Sequence, residues 1–137
     1  MTYEEARSLL SDMRAAKRRA NAIKARIADI ESDAESINSA LNNSGVSGGI
    51  MRSRVEELAV KIETEREKHI VALEKFFELE DKLSAAIDTL EPIEKEIILA
   101  FYLDGKPNWK VGEIVGFEER TVKRYKSKAI KKISDIL

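Results

Sequence analysis

The chain has 137 residues, a net charge of −1, 36% charged and 6% aromatic side chains, no cysteine and a single histidine. These figures exclude disulfides, thiolate metal sites and a histidine-rich catalytic or metal cluster, and they favour long charged helices over a large globular core. The acidic start MTYEEARSLL lacks the apolar core of a signal peptide, and no apolar run approaches the roughly 20 residues that cross a bilayer, so a cytoplasmic protein without membrane contact is expected.

Residues 2–41 contain neither Gly nor Pro. Apolar side chains recur at Ala6, Leu9, Met13, Ala16, Ala20, Ile23, Ile27, Ile30, Ala34, Ile37 and Leu41, in steps that alternate three and four. Such a heptad seam is the signature of a coiled-coil helix. The stretch RAAKRRANAIKAR, residues 14–26, holds six basic residues and no acid. A second nucleic-acid site is one reading of it; a solvated outer face of the helix is the plainer one.

NNSGVSGG, residues 42–49, concentrates turn formers and has the length of a helix–helix connection. A second seam follows at Met51, Val55, Leu58, Ile62, Glu65, His69, Ala72, Phe76, Leu79, Leu83, Ala86 and Leu90. Two helices of about 40 residues, each about 60 Å long, are therefore expected to fold back as an antiparallel hairpin over residues 1–90. Symmetry about the turn places Ala16 opposite Phe76 and Ala34 opposite Leu58, with Glu65 and His69 facing Ile27 and Ile23; the alternative is the same pairing shifted by one layer. Glu65 and His69 lie four apart but lack a third metal ligand, so a polar layer that fixes register is the better reading. Ile70, Leu73, Phe77 and Ile87 form a further apolar stripe, expected to pack on the C-terminal segment or on another copy of the chain.

Pro92 suits a first helical position, and PIEKEIILAFYL reads as a helix with Ile97, Ile98, Phe101 and Tyr102 inward. Gly105 is a left-handed stop, and Pro107 prevents continuation. Two short helices are predicted at about 108–115 and 119–134, within a C-terminal domain spanning 91–137. A helix-turn-helix needs a small residue where its helices cross, which Gly112 supplies, and a turn residue that accepts positive φ, which Gly116 supplies. Val111, Val115, Phe117, Val122 and Tyr125 provide apolar anchors. The second helix then exposes Glu118, Glu119, Arg120, Lys123, Arg124 and Ser127, with Lys126, Lys128, Lys131 and Lys132 suited to phosphates.

Charge placement supports this more than net charge does. Residues 120–137 carry seven basic and one acidic side chain, a balance of +6, whereas residues 1–90 carry 14 and 17, a balance of −3. The bland alternative for residues 116–133 is a lysine-rich solvated helix. The glycines and apolar anchors favour a placed DNA-binding helix instead.

Residues 90–133 resemble region 4 of bacterial sigma-70-type factors. The resemblance rests on Leu90, Pro92 and Glu94, on Tyr102-Leu103-Asp104-Gly105, and on Val111-Gly112-Glu113-Ile114-Val115-Gly116. It continues through Thr121-Val122-Lys123 and Lys128-Ala129-Ile130-Lys131-Lys132-Ile133 without gaps, and covers about a third of the chain. It implies a recognition helix in the major groove of double-stranded DNA. Glu119, Arg120 and Lys123 would then stand at base-reading positions, with Arg124 and the later lysines Lys128, Lys131 and Lys132 nearer the phosphates; Ser127 joins them as a DNA-binding candidate on the exposed face. It also implies RNA polymerase as a second partner. Glu118 stands where a Ser or Thr helix cap is usual. Residues 1–90 do not resemble the sigma domain that melts promoters.

The layout, a helical N-terminal part before such a motif, resembles phage and prophage late-gene regulators of the ArpU and RinA type. An all-α, non-enzymatic, homo-oligomeric transcriptional regulator is thus expected. No phosphate loop, nucleophile–base pair or other cofactor motif is present in the sequence. The alternatives are a phage packaging component, such as a small terminase-like DNA-recognition subunit, or a helical adaptor that does not bind DNA.

Overall fold

The structure, a computed structural model, describes residues 1–44 and 49–137. Among these there are five α-helices and no strand: α1 (Tyr3–Ser44), α2 (Gly49–Asp88), α3 (Pro92–Ile98), α4 (Asn108–Val115) and α5 (Glu119–Ile136), with a π-helical turn at Leu99–Leu103 after α3. Residues 45–48, the centre of the expected connection, and the Met51 side chain of the second seam lie outside the described residues. The flanking positions 42–44 and 49 are helical. No described helix is long and apolar enough to cross a membrane.

The chain divides into two compact units, one of residues 19–73 and one of residues 1–18 with 74–137. In the first, α1 and α2 run antiparallel. Ala20 and Ile23 pack with Ala72, while Arg26 and Glu31, further along α1, reach Glu65 and Arg66 at 3.2 and 3.1 Å. Ala20, Ile23, Leu58, Glu65 and Ala72 are buried, and Ile27, Ile30, Ala34, Ile37, Leu41, Val55, Ile62 and His69 half-buried. Burial thus follows the alternating three-and-four spacing along both helices.

Glu65, 8% exposed, is the polar member of this seam. Its carboxylate accepts from Lys68 and Arg26 at 3.3 and 3.2 Å. Burial alone would raise its pKa. The hydrogen bonds and charges of Lys68 and Arg26 outweigh burial and hold it below the ordinary value.

In the second unit the N-terminal turns of α1 and the C-terminal turns of α2 share one core with the C-terminal helices. Ala6, Leu10, Met13 and Ala16 meet Phe76, Leu79, Leu83, Ala86, Ile87 and Leu90, together with Ile98, Tyr102, Ala129, Ile130 and Ile133. Burying a side chain such as Leu10 or Ile130 contributes about 1.5–3 kcal/mol. Ile87 of the extra α2 stripe belongs here, whereas Ile70 and Phe77 stay exposed.

PIEKEIILAFYL is not one regular α-helix. After Ile98 the backbone widens, and the Asp104 N–H donates to the Leu99 carbonyl five residues back at 2.9 Å. This short segment serves two cores, since Ile98 and Tyr102 pack in the first while Ile97 and Ala100 pack with Val111 and Val122 in the second.

Candidate nucleic-acid interface

α4 follows Pro107, whose carbonyl accepts from the Lys110 and Val111 N–H groups at 3.0 Å. The helix ends at Gly116, which takes the left-handed conformation (φ 78°, ψ 28°) that favours glycine. Both the Gly116 and Phe117 N–H groups donate to the Gly112 carbonyl at 2.9 Å, closing the tight turn. Glu118 then opens α5 without a side-chain cap.

The turn explains why residue 112 is glycine. A Cβ at that position would lie 2.6 Å from the Phe117 carbonyl oxygen and 3.6 Å from Val122. The chain passes back over α4 at this point, leaving room only for a hydrogen. Val111 and Val122 are fully buried with Ile97 and Ala100. Val115, Phe117 and Tyr125 pack against them, and the Phe117 and Tyr125 rings stack with centroids 5.3 Å apart.

With that face fixed inward, α5 presents Glu119, Arg120, Lys123, Arg124, Ser127, Lys128 and Lys131 to solvent. Among these, the one ion pair among the described residues is Lys123 with Glu119 at 3.8 Å, one helical turn apart. The exposed residues lie along one stripe of the helix, as a groove-reading helix requires. Residues 80–133 match Sigma-70, region 4. The matched span is less than half of the chain and begins inside α2. No curated protein and no solved structure matches the chain. The region 4 match suggests a DNA-binding regulator, with RNA polymerase as a second contact.

Two lysines of the region 4 helix-turn-helix are engaged within the protein. Lys132 Nζ lies 2.6 Å from Oε1 of Glu94, a carboxylate only 1% exposed, so it ties α5 to α3. The Glu94 hydrogen bond raises the Lys132 pKa against the opposing effect of burial. Lys126 is half-buried; it donates to Asn108 Oδ1 at 2.9 Å and sits 3.6 Å from the Phe101 ring centroid. Arg14 of α1 lies on the same ring, 4.2 Å from its centroid, and donates to the Phe101 and Gly105 carbonyls at 3.1 and 3.3 Å. Sequence reasoning did not connect Arg14 with this domain. A trace of it exists in the spacing of Arg7, Arg14 and Arg18, which share one face of α1.

Burial, then the positive charges of Arg14, Arg7 and Lys123, lower the Lys126 pKa from 10.5 to about 8, with Glu119 opposing. The folded protein therefore binds fewer protons than the unfolded chain between about pH 8 and 10.5. Stability attributable to this group consequently rises with pH across that window. In urea unfolding, wild type should gain on Lys126→Met as pH increases from 7.5 to 10. A constant difference would place the lysine's titration at its ordinary value.

Proposed function

We propose that this chain is a non-enzymatic, sequence-specific DNA-binding transcriptional regulator that reads duplex DNA through α5. The carrying observation is the exposed stripe of Arg120, Lys123, Arg124, Lys128 and Lys131 on a helix held in place by the Gly112–Gly116 turn. Arg120 and Lys123 reach base edges, while Arg124, Ser127, Lys128 and Lys131 contact the backbone. Lys132 acts through its bond to Glu94. Glu118 and Glu119 at the leading end repel phosphate and accept from cytosine amino groups, so selectivity outweighs nonspecific affinity.

The long helical N-terminal part before the region 4 domain supports a phage or prophage late regulator of the ArpU and RinA type. In that reading, residues 1–90 set assembly with further copies, for which Ile70, Val71 and Phe77 of α2 offer exposed apolar area. Trp109, 57% exposed, and Ile114 on α4 favour a protein contact beside the DNA, consistent with RNA polymerase.

The deciding experiment is duplex binding by Lys123→Ala/Arg124→Ala. Loss of these two cations should weaken binding at least about tenfold and flatten its salt dependence, with the melting midpoint unchanged. Equal binding by variant and wild type would reject α5 as the reading helix. A helical adaptor would show no salt-sensitive duplex binding at all. Transcription from a neighbouring promoter with and without the protein separates a regulator from a packaging subunit.

A further inference from the structure

One face of α1 carries Arg7, Ser11, Arg14 and Arg18, spaced by four, three and four residues. In the compact unit that holds the region 4 domain, this row forms one wall of an open cleft of about 590 Å³, and Lys123, Lys126 and Ser127 of α5 line the other. Among the described residues, five cations line the cleft and no acidic residue does. Arg7 and Arg18 are exposed and make no ion pair among the described residues. Arg14 is held by the Phe101 and Gly105 carbonyls, which fixes the middle of the row.

Like charges gathered in this way repel, with Glu119 beside Lys123 at 3.8 Å as a partial counter-charge, and the lowered Lys126 pKa reflects burial first and that repulsion second. We propose that the cleft seats the sugar-phosphate backbone of the DNA strand flanking α5, so that Arg7 and Arg18 of α1 are phosphate-contacting residues. The inference rests on the DNA-reading role of α5 and extends that surface onto a helix outside the helix-turn-helix.

Two features favour a polyanion over a small anion. Lys123 and Ser127 belong both to the cleft and to the exposed stripe of α5, so the two surfaces are continuous. From Arg7 to Arg18 the row is also about 16 Å long at 1.5 Å per residue. That length matches a run of successive phosphates, whereas a single small anion would neutralise only part of it.

The test uses the full chain, a duplex that wild type enriches from a random-sequence pool, and the variant Arg7→Gln/Arg18→Gln. Each lost phosphate contact lowers the slope of log affinity against log salt by about 0.9. The double variant should therefore lose about 1 to 2 in slope and bind more weakly at low salt, with a melting midpoint at or above that of wild type. An unchanged slope in this variant, while Lys123→Ala/Arg124→Ala still weakens binding, overturns the α1 contact and leaves the α5 reading intact. Absence of duplex binding by wild type removes both. Pyrophosphate at constant ionic strength supplies the remaining arm. If it stabilises wild type but not the Arg7/Arg18 variant, and the DNA salt slope is the same for both, the cleft takes a small anion and the backbone proposal fails.

Discussion

Gly112→Val is expected to destabilise the C-terminal helices more than any exchange on their surface. A bare Cβ at residue 112 already comes within 2.6 Å of the Phe117 carbonyl oxygen. The obstacle is backbone, so no rotamer change relieves it. Relief requires moving Phe117, which also breaks the paired hydrogen bonds from Gly116 and Phe117 to the Gly112 carbonyl. Alanine at a helical position ordinarily gains about 1 kcal/mol over glycine. Overpacking costs about 1–3 kcal/mol or more, so Gly112→Ala should be destabilising on balance, with Val worse. Gly116→Ala is the informative comparison. Its Cβ meets open space, but φ is 78°, a strain of about 1–2 kcal/mol. Trp109, the only tryptophan, sits on α4, so its fluorescence reports unfolding of this region. Wild-type stability in Gly112→Ala would contradict the crossing geometry.

The second large effect is expected from Lys132→Met. It would leave Glu94 almost fully buried without the one partner it has among the described residues, where Oε2 of that carboxylate already lacks a hydrogen bond. An unpaired buried charge is strongly destabilising, whereas replacing both members of a pair by apolar residues is often neutral or better. Lys132→Met should therefore melt well below Lys131→Met, its exposed neighbour, and Glu94→Met/Lys132→Met should recover most of the loss. Because the folded-state pKa of Lys132 is raised, its contribution is fully present below the ordinary lysine value. It is lost only as pH rises through the folded pKa. The gap between wild type and Lys132→Met should thus stay constant from neutral pH to about 10 and narrow above it. Equal melting of the Lys131 and Lys132 variants would refute a structural role for the Glu94 contact.

Much of this architecture was legible because simple periodicities governed it. The seams fix which residues of α1 and α2 turn inward, and Glu65 fills its polar place between Arg26 and Lys68. Gly105 and Gly116 both adopt positive φ, and α4 and α5 begin at residues 108 and 119 as the turn chemistry implies. Other features depend on tertiary packing. The π-helical turn at Leu99–Leu103 has no Gly or Pro to mark it; it accompanies a segment shared by two cores. Leu10 falls outside the alternating seam, yet it is fully buried against the C-terminal helices. Lys126 and Lys132 read as surface lysines because a basic run does not reveal that Phe101 or Glu94 lies opposite.

The core that joins Leu10 and Met13 to Ile130 and Ile133 also bears on the order in which the protein can fold. Its two sequence segments are separated by residues 19–73, so its contacts are among the most distant in the chain. Such contacts slow folding. On a ribosome that core stays open until the residues up to Ile133 have emerged. The intervening residues fold on local helix and hairpin contacts, and their pairing shortens the effective loop that the core must close. Helix α5 therefore acquires its support only after residues 19–73 have been made, and a chain halted before Ile133 cannot complete the surface proposed to grip DNA.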